Sequence, residues 1–229
     1  MKGIIWAIFF NVLLVASSCQ TEERVVAAPS DSITGTSALT ALLKRVSQHP
    51  TAADNVLDGT SCFGIKLPLT VIVNGQPILV STEAEYSTIN YLLNISTVDV
   101  DSVSPVFPIT VIFKNHNEAT IISQQQFEAV IENCGLDNGL GEIRCIDINY
   151  PISVDTYDSD FQLASAVTIG NDVQLYNFLD HAGPDYVMEI LYPVILTRFN
   201  GEVITSNTNL SLQQVIENNN GSCSIPGNR

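Results

Sequence analysis

FPITVIF, residues 107–113, decides how the chain is read. Phe107, Ile109, Val111 and Phe113 alternate with Pro108, Thr110 and Ile112. Successive side chains point to opposite faces of a strand, so one face is strongly apolar and the other mixed. Three more stretches share the pattern, with proline in second place: LPLTVIV at 67–73, YPISVDT at 150–156 and YPVILTR at 192–198. A proline has no N–H to give to a sheet ladder and belongs at a strand start or edge. Pro68, Pro108, Pro151 and Pro193 therefore mark where four strands begin, and their role is read as structural.

The segment after each strand also repeats. Asn74-Gly75 and Asn200-Gly201 are hairpin turns by residue type. The second copy turns over the longer polar stretch Lys114 to Glu118, and the third over an excursion from Asp155 to about Gln162. A second strand comes next: PILV from Pro77, ATIIS from Ala119, LASAVTI from Leu163 and VITS from Val203. Each copy then enters a helix with one spacing, seen in Ile89/Leu92/Leu93, Phe127/Val130/Ile131, Leu175/Phe178/Leu179 and Leu212/Val215/Ile216. That spacing puts three apolar side chains on one helical face, enough to dock on a sheet. Thr82 with Glu85, Ser123 with Gln126 and Asn171 with Gln174 fit a capping box, whereas Thr208 has Ser211 at the third position.

A larger period lies above this one. Cys62 and Pro68 map onto Cys145 and Pro151 with an offset of 83, and Pro108, Val130 and Ile131 onto Pro193, Val215 and Ile216 with an offset of 85. The expected fold is α+β: four ββα repeats arranged as two tandem ββαββα units, with antiparallel sheets and helices on one face. The expected boundaries are 1–18 for a signal, 19–36 for a flexible tether, 37–60 for an N-terminal helix and linker, and 61–140 and 141–229 for the two units. Leu39, Leu42, Leu43 and Val46 form the stripe of that helix, with Thr36 or Ser37 as its cap, and it is expected to cover a sheet edge or face.

Cysteine placement agrees with the same division. Cys62 and Cys134 bracket the first unit, Cys145 and Cys223 the second. Pairing within each unit is favoured if chain direction reverses between copies. A Cys134–Cys145 bridge with Cys62–Cys223 is the rival, since four cysteines allow three pairings. A bridge closing so long a loop contributes up to about 4 kcal/mol.

The N-terminus is read as an address. Lys2 is followed by the apolar run Ile4 to Val15, then Ala16, Ser17, Ser18 and Cys19. The run is too short for a spanning helix. It resembles a bacterial lipoprotein signal, in which the cysteine becomes the first residue and carries the lipid; Ala16 departs from the usual leucine three positions earlier. Gln20-Thr21-Glu22-Glu23 is similar to the acidic tract of surface-exported lipoproteins of the Bacteroidetes. The LLKRVS helix, the DGTSCF stretch at Asp58 to Phe63 and the proline-led hairpins resemble a family of lipoproteins from flavobacteria and relatives. The resemblance implies an outer-membrane address, facing the cell exterior, and no activity. Residues 20–36 would hold the domain roughly 20–25 Å from the bilayer.

Composition narrows the partners. The chain has 229 residues and a formal net charge of -15, from 9 Lys+Arg against 24 Asp+Glu. That charge repels phosphate backbones, so nucleic acid is excluded as an expected partner. There is no GxSxG, HExxH or phosphate loop. His49, His116 and His181 sit in loops or at helix ends and are read as surface residues. Tyr150 and Tyr192 are read as core residues whose hydroxyls reach a partner. Asp155, Asp158 and Asp160 form the acidic cluster of the third turn. Carboxylates on a loop can bind calcium, so these three are the expected ligand-contact or calcium site, and no other cofactor is expected. The reading is a non-enzymatic binding or scaffolding lipoprotein, partnered by an envelope protein or polysaccharide. The alternative is an envelope hydrolase or glycan-processing enzyme, which needs two facing carboxylates in one concave site.

Overall fold

The computed structural model describes residues 27–95, 101–134, 141–221 and 223, and among the described residues there are four small antiparallel sheets and six α-helices. Cys19, the apolar run before it and the acidic tract after it lie outside the described residues. The chain enters as β1 (Ser32–Thr34) and α1 (Ala38–Val46), followed by a one-turn helix, α2 (Asn55–Asp58). Next come β2 (Phe63–Ile65), β3 (Leu69–Val73), β4 (Gln76–Val80) and α3 (Tyr86–Leu93), with a 3-10 turn at Glu83–Glu85. Then come β5 (Val103–Pro105), β6 (Ile109–Phe113), β7 (Glu118–Ile121) and α4 (Gln124–Cys134). The rest is β8 (Ile146–Asn149), β9 (Ile152–Tyr157), β10 (Leu163–Ile169), α5 (Asp172–His181), β11 (Val187–Leu191), β12 (Val194–Arg198), β13 (Val203–Ser206) and α6 (Asn209–Asn218).

Local causes shape the first hairpin. Asn74 and Gly75 both take positive φ, 48° and 81°, as a tight two-residue turn requires. The alternation of residues 69–73 is realised as buried and half-buried positions in strict succession. The N3 glutamate or glutamine of three helix starts reaches back past its cap to the N–H one residue earlier: Glu85 to Ser81, Gln126 to Ile122 and Gln174 to Gly170. Thr208 caps α6 without that return, its hydroxyl accepting from Ser211 N. The peptide bonds before Pro68, Pro108, Pro151 and Pro193 are all cis.

The sheets are not closed within a single hairpin. β2 pairs with β6, and β5 pairs with β3, so the strand leading into each hairpin joins the sheet of the other. The second half repeats this: β8 pairs with β12 and β11 with β9. The resulting orders are β4-β3-β5, β2-β6-β7 and β13-β12-β8, with β1-β11-β9-β10 as the four-stranded member. Disulfides join Cys62 to Cys134 and Cys145 to Cys223, with Cα–Cα distances of 5.7 and 5.3 Å, each inside its own half.

Two apolar cores result. The first gathers Phe63, Val71, Ile89, Val111 and Phe127, with the rings of Phe63 and Phe107 set edge-on to Phe127 about the same centre. The second gathers Ile146, Val154, Leu175, Leu196, Leu212 and Ile216. Leu39, Leu42, Leu43 and Val46 of α1 also belong to this second core.

That placement corrects one expectation. Residues 32–34 are not tether: Ser32, Ile33 and Thr34 pair with Glu189, Met188 and Val187, and Ile33 is buried. Gly35 comes next with its Cα pressed against the carbonyls of Ala182 and Gly183, where a Cβ would have no room. The sheet edge is therefore covered by β1, while α1, capped by Ser37, packs against α5 and α6. Apolar contact with the distant half outweighs the freedom that a polar, Pro- and Gly-bearing segment would otherwise keep.

Candidate functional site

The segment Ser47 to Thr51, leaving α1, runs along the seam between the halves and is bonded to both. His49 N donates to Lys114 O at 2.9 Å, and His116 Nε2 lies 2.7 Å from Ser47 O. Thr51 N donates to Glu142 Oε2 at 2.9 Å. Arg45 donates from Nε to Gly141 O at 2.7 Å and from its terminal nitrogen to Asn220 Oδ1 at 2.8 Å. Gly64 of β2 passes so close that an added Cβ would sit 3.0 Å from Pro50 O. Cavities open on different sides of this segment, and they differ in charge.

One of them has a volume of about 670 Å³. One wall is α1 with Ala41, Lys44 and Arg45, continued by Gln48 just beyond it; another is the end of β6 and the turn after it, with Phe113, Lys114 and Asn115. Asn133 at the end of α4 and the Cys62–Cys134 bridge form one end, and Tyr176 of α5 the other. Three Lys/Arg and no Asp/Glu line it, in a chain whose overall ratio is 9 to 24. Lys44 is paired with Asp180 and stands 5.2 Å above the Tyr176 ring. Gln48 Oε1 is buried and meets no donor from the protein.

A second cavity, of about 180 Å³, is acidic, with Glu83, Glu142, Asp147 and Asp172 around Arg144, and it shares Gln48 with the first. Burial, and then the neighbouring Asp172, raise the Asp147 carboxyl above its usual range. A third, also about 180 Å³, is lined by His49, Asp54, Glu83 and Tyr86. Burial pushes Asp54 up to about 6 and Asp58 up to about 7. Asp54 is 2% exposed, and one of its oxygens takes the Ile65 N–H at 2.6 Å. Its carboxyl thus anchors the end of β2 and is shut away from any substrate of useful size.

The acidic turn does not converge. Asp155 lies within β9, opposite Ala166 and Glu189, so the excursion begins only after Tyr157. Asp158 Oδ1 accepts from Asp160 N and Gln162 N, both at 2.9 Å, and serves the turn backbone. Asp160 is exposed. A strand sends alternate side chains to opposite faces, and a turn-forming carboxylate is aimed at its own backbone, so sequence proximity does not make a ligand set here. No group of three His, Cys, Asp or Glu is arranged to hold a metal ion among the described residues.

Two histidines also depart from expectation. His49 and His116 are not independent surface residues: their rings meet edge-on at 5.9 Å across the seam, and His116 meets Tyr176 at 5.8 Å. Burial, and then His116, lower the His49 pKa. Tyr150 and Tyr192 each donate at 2.7 Å to the first residue of their own repeat's helix, Asp172 and Asn209. The cationic cleft was not located from sequence, because α1, the β6–β7 turn and α5 are far apart along the chain. The scarcity of cations was the available signal, with two of nine adjacent at Lys44-Arg45.

Comparison with protein-family models, with curated proteins and with solved structures gives no match. No helix among the described residues is long and apolar enough to cross a membrane.

Proposed function

We propose that the chain is a non-enzymatic binding module, lipid-anchored through Cys19 at the outer membrane and facing the cell exterior, whose ligand enters the cationic cleft at the seam. The four hairpin–helix segments are read as copies of one unit, doubled as two ββαββα pairs. The observation that carries the binding role is the charge of the cleft: three cations and no carboxylate line it in a chain of net charge -15. Such local reversal concentrates an anionic ligand where the rest of the surface repels it. A volume of about 670 Å³ falls within the usual range for small-ligand sites, about 300–1,000 Å³. The hydrolase alternative has less support. Asp54 and Glu83 share a cavity, but Asp54 is buried and tied to the Ile65 N–H.

The test is capture by the immobilised, oxidised protein from envelope extract and culture glycans. A matched Ala41→Phe protein serves as the blank. Ala41 is exposed on α1 and lines the cleft, so the larger side chain fills it without removing a polar group. A component held by the wild type and lost from Ala41→Phe supports the proposal; equal retention, or none, removes it.

A further inference from the structure

The cationic cleft also specifies a ligand class, and this step rests on the binding role just proposed. We infer that its ligand is a carboxylated oligosaccharide, a chain of uronic-acid type, bound with its carboxylates toward Lys44, Arg45 and Lys114. Three features carry this. The first is charge. Lys44 and Arg45 have more N–H donors than their protein partners use: the Lys44 ammonium meets one carboxylate, and Arg45 spends two of five N–H groups on Gly141 and Asn220. Donors remain for a ligand carboxylate, and charge-assisted bonds of that kind are the strong ones.

The second is the uncharged part of the lining. Gln48, Asn115 and Asn133 bring three amides to one cavity. The Gln48 oxygen is buried, whereas the amides of Asn115 and Asn133 are exposed and offer oxygens to a hydroxyl. A ligand carrying both carboxylates and hydroxyls meets the cations and these amides together. Tyr176 and Phe113 add apolar surface for the C–H faces of a sugar ring.

The third separates a glycan from an acidic peptide. One recurring way to hold an extended peptide is to add it to an exposed strand edge. The one strand that lines the cleft, β6, is the central strand of its sheet, paired on both sides by β2 and β7. Among the described residues the other walls are helices, a turn and the short segments at Gln48 and Cys62, which offer no strand edge to a peptide backbone.

The experiment is calorimetric titration of the full chain with trigalacturonate, with its fully methyl-esterified form, and with hexaglutamate. The ester keeps the rings and removes the charge. The expected result is saturable binding of trigalacturonate, and at least tenfold weaker binding of both the ester and hexaglutamate. Lys114→Gln and Lys44→Gln should each weaken trigalacturonate by about tenfold. Lys44→Gln also removes the Asp180 pair, so Ala41→Phe provides a second variant with every polar group intact; it should abolish binding at an unchanged melting temperature. No saturable binding of trigalacturonate, equal binding of the ester, or preference for hexaglutamate would each overturn the inference. Such a failure, alongside cleft-dependent capture of some other component, would leave the binding role standing with a different ligand.

Discussion

The Tyr150 hydroxyl donates to the Asp172 carboxylate at 2.7 Å, tying the residue before the third repeat's proline to the first turn of α5. Tyr192 does the same with Asn209 at the start of α6. Burial, then the bond to Asp172, raise the Tyr150 pKa, so the phenol keeps its proton and remains a donor. Tyr150→Phe should cost about 1 kcal/mol by denaturant midpoint, and Tyr192→Phe a similar amount. The first half has Leu67 and Phe107 at these positions, and Phe107 meets the Phe127 ring instead. An unchanged midpoint in both variants would show that the links carry no stability.

Stability should fall as pH rises from about 4 to about 7. Asp54 and Asp58 have ordinary values of 3.8 and folded values of about 6 and about 7, with burial as the leading cause in both. A folded pKa above the unfolded one gives stability that is full below pH 4 and is lost as pH passes through the folded value. For the buried Asp54 the loss is on the order of 2–3 kcal/mol. Asp54→Asn keeps an oxygen for the Ile65 N–H and should flatten the profile. A profile as steep in Asp54→Asn as in the wild type would assign the slope elsewhere.

The N-terminal segment should report on the far half of the molecule. Leu43 is 2% exposed in the second core, so Leu43→Ala should cost about 2–5 kcal/mol. Hydrogen exchange should speed up in β8 to α6, leaving β2 to α4 protected. Gly35→Ala should release β1 from β11, because its Cβ would collide with the carbonyls of Ala182 and Gly183. Faster exchange confined to the first half would contradict this assignment of α1.

The third turn offers a local comparison. Asp158→Ala removes the acceptor of two backbone N–H groups and should cost about 1 kcal/mol. Asp160→Ala, at an exposed position, should stay within about 0.5 kcal/mol. Equal effects in thermal melts would mean that these aspartates act through something other than the turn.

Range along the chain decides how much of the molecule was legible in its sequence. Alternation in residues 69–73 and 109–113, helical spacing at 89/92/93, and the Asn74-Gly75 turn are all local, and each became the element expected of it. The leading strands are three to five residues long, as with Phe63–Ile65 and Val103–Pro105. So short a run carries no usable period, and nothing in it names a partner across the hairpins. The same holds for Ser32–Thr34, whose polar flanks read as linker until Met188 and Val187 supply a place for them. The acidic turn misled in the opposite sense: Asp155, Asp158 and Asp160 are close in sequence, yet they divide between a strand and a turn. The cleft gathers Lys44, Lys114 and Tyr176 from three distant segments, which only the packed chain brings together.

The pairing of β1 with β11 sets an order of events during synthesis. Glu189 follows its partner Ser32 by 157 residues along the chain (189 minus 32). At about 5–20 residues per second, the wait is on the order of 10–30 s. β2 must likewise wait for β6, and β3 lacks its third strand until β5 emerges. The chain cannot lock into place one hairpin at a time from its beginning. Among the described residues, the first strand takes an edge of the four-stranded sheet only once β11 exists, while β12, β13 and α6 are still to come.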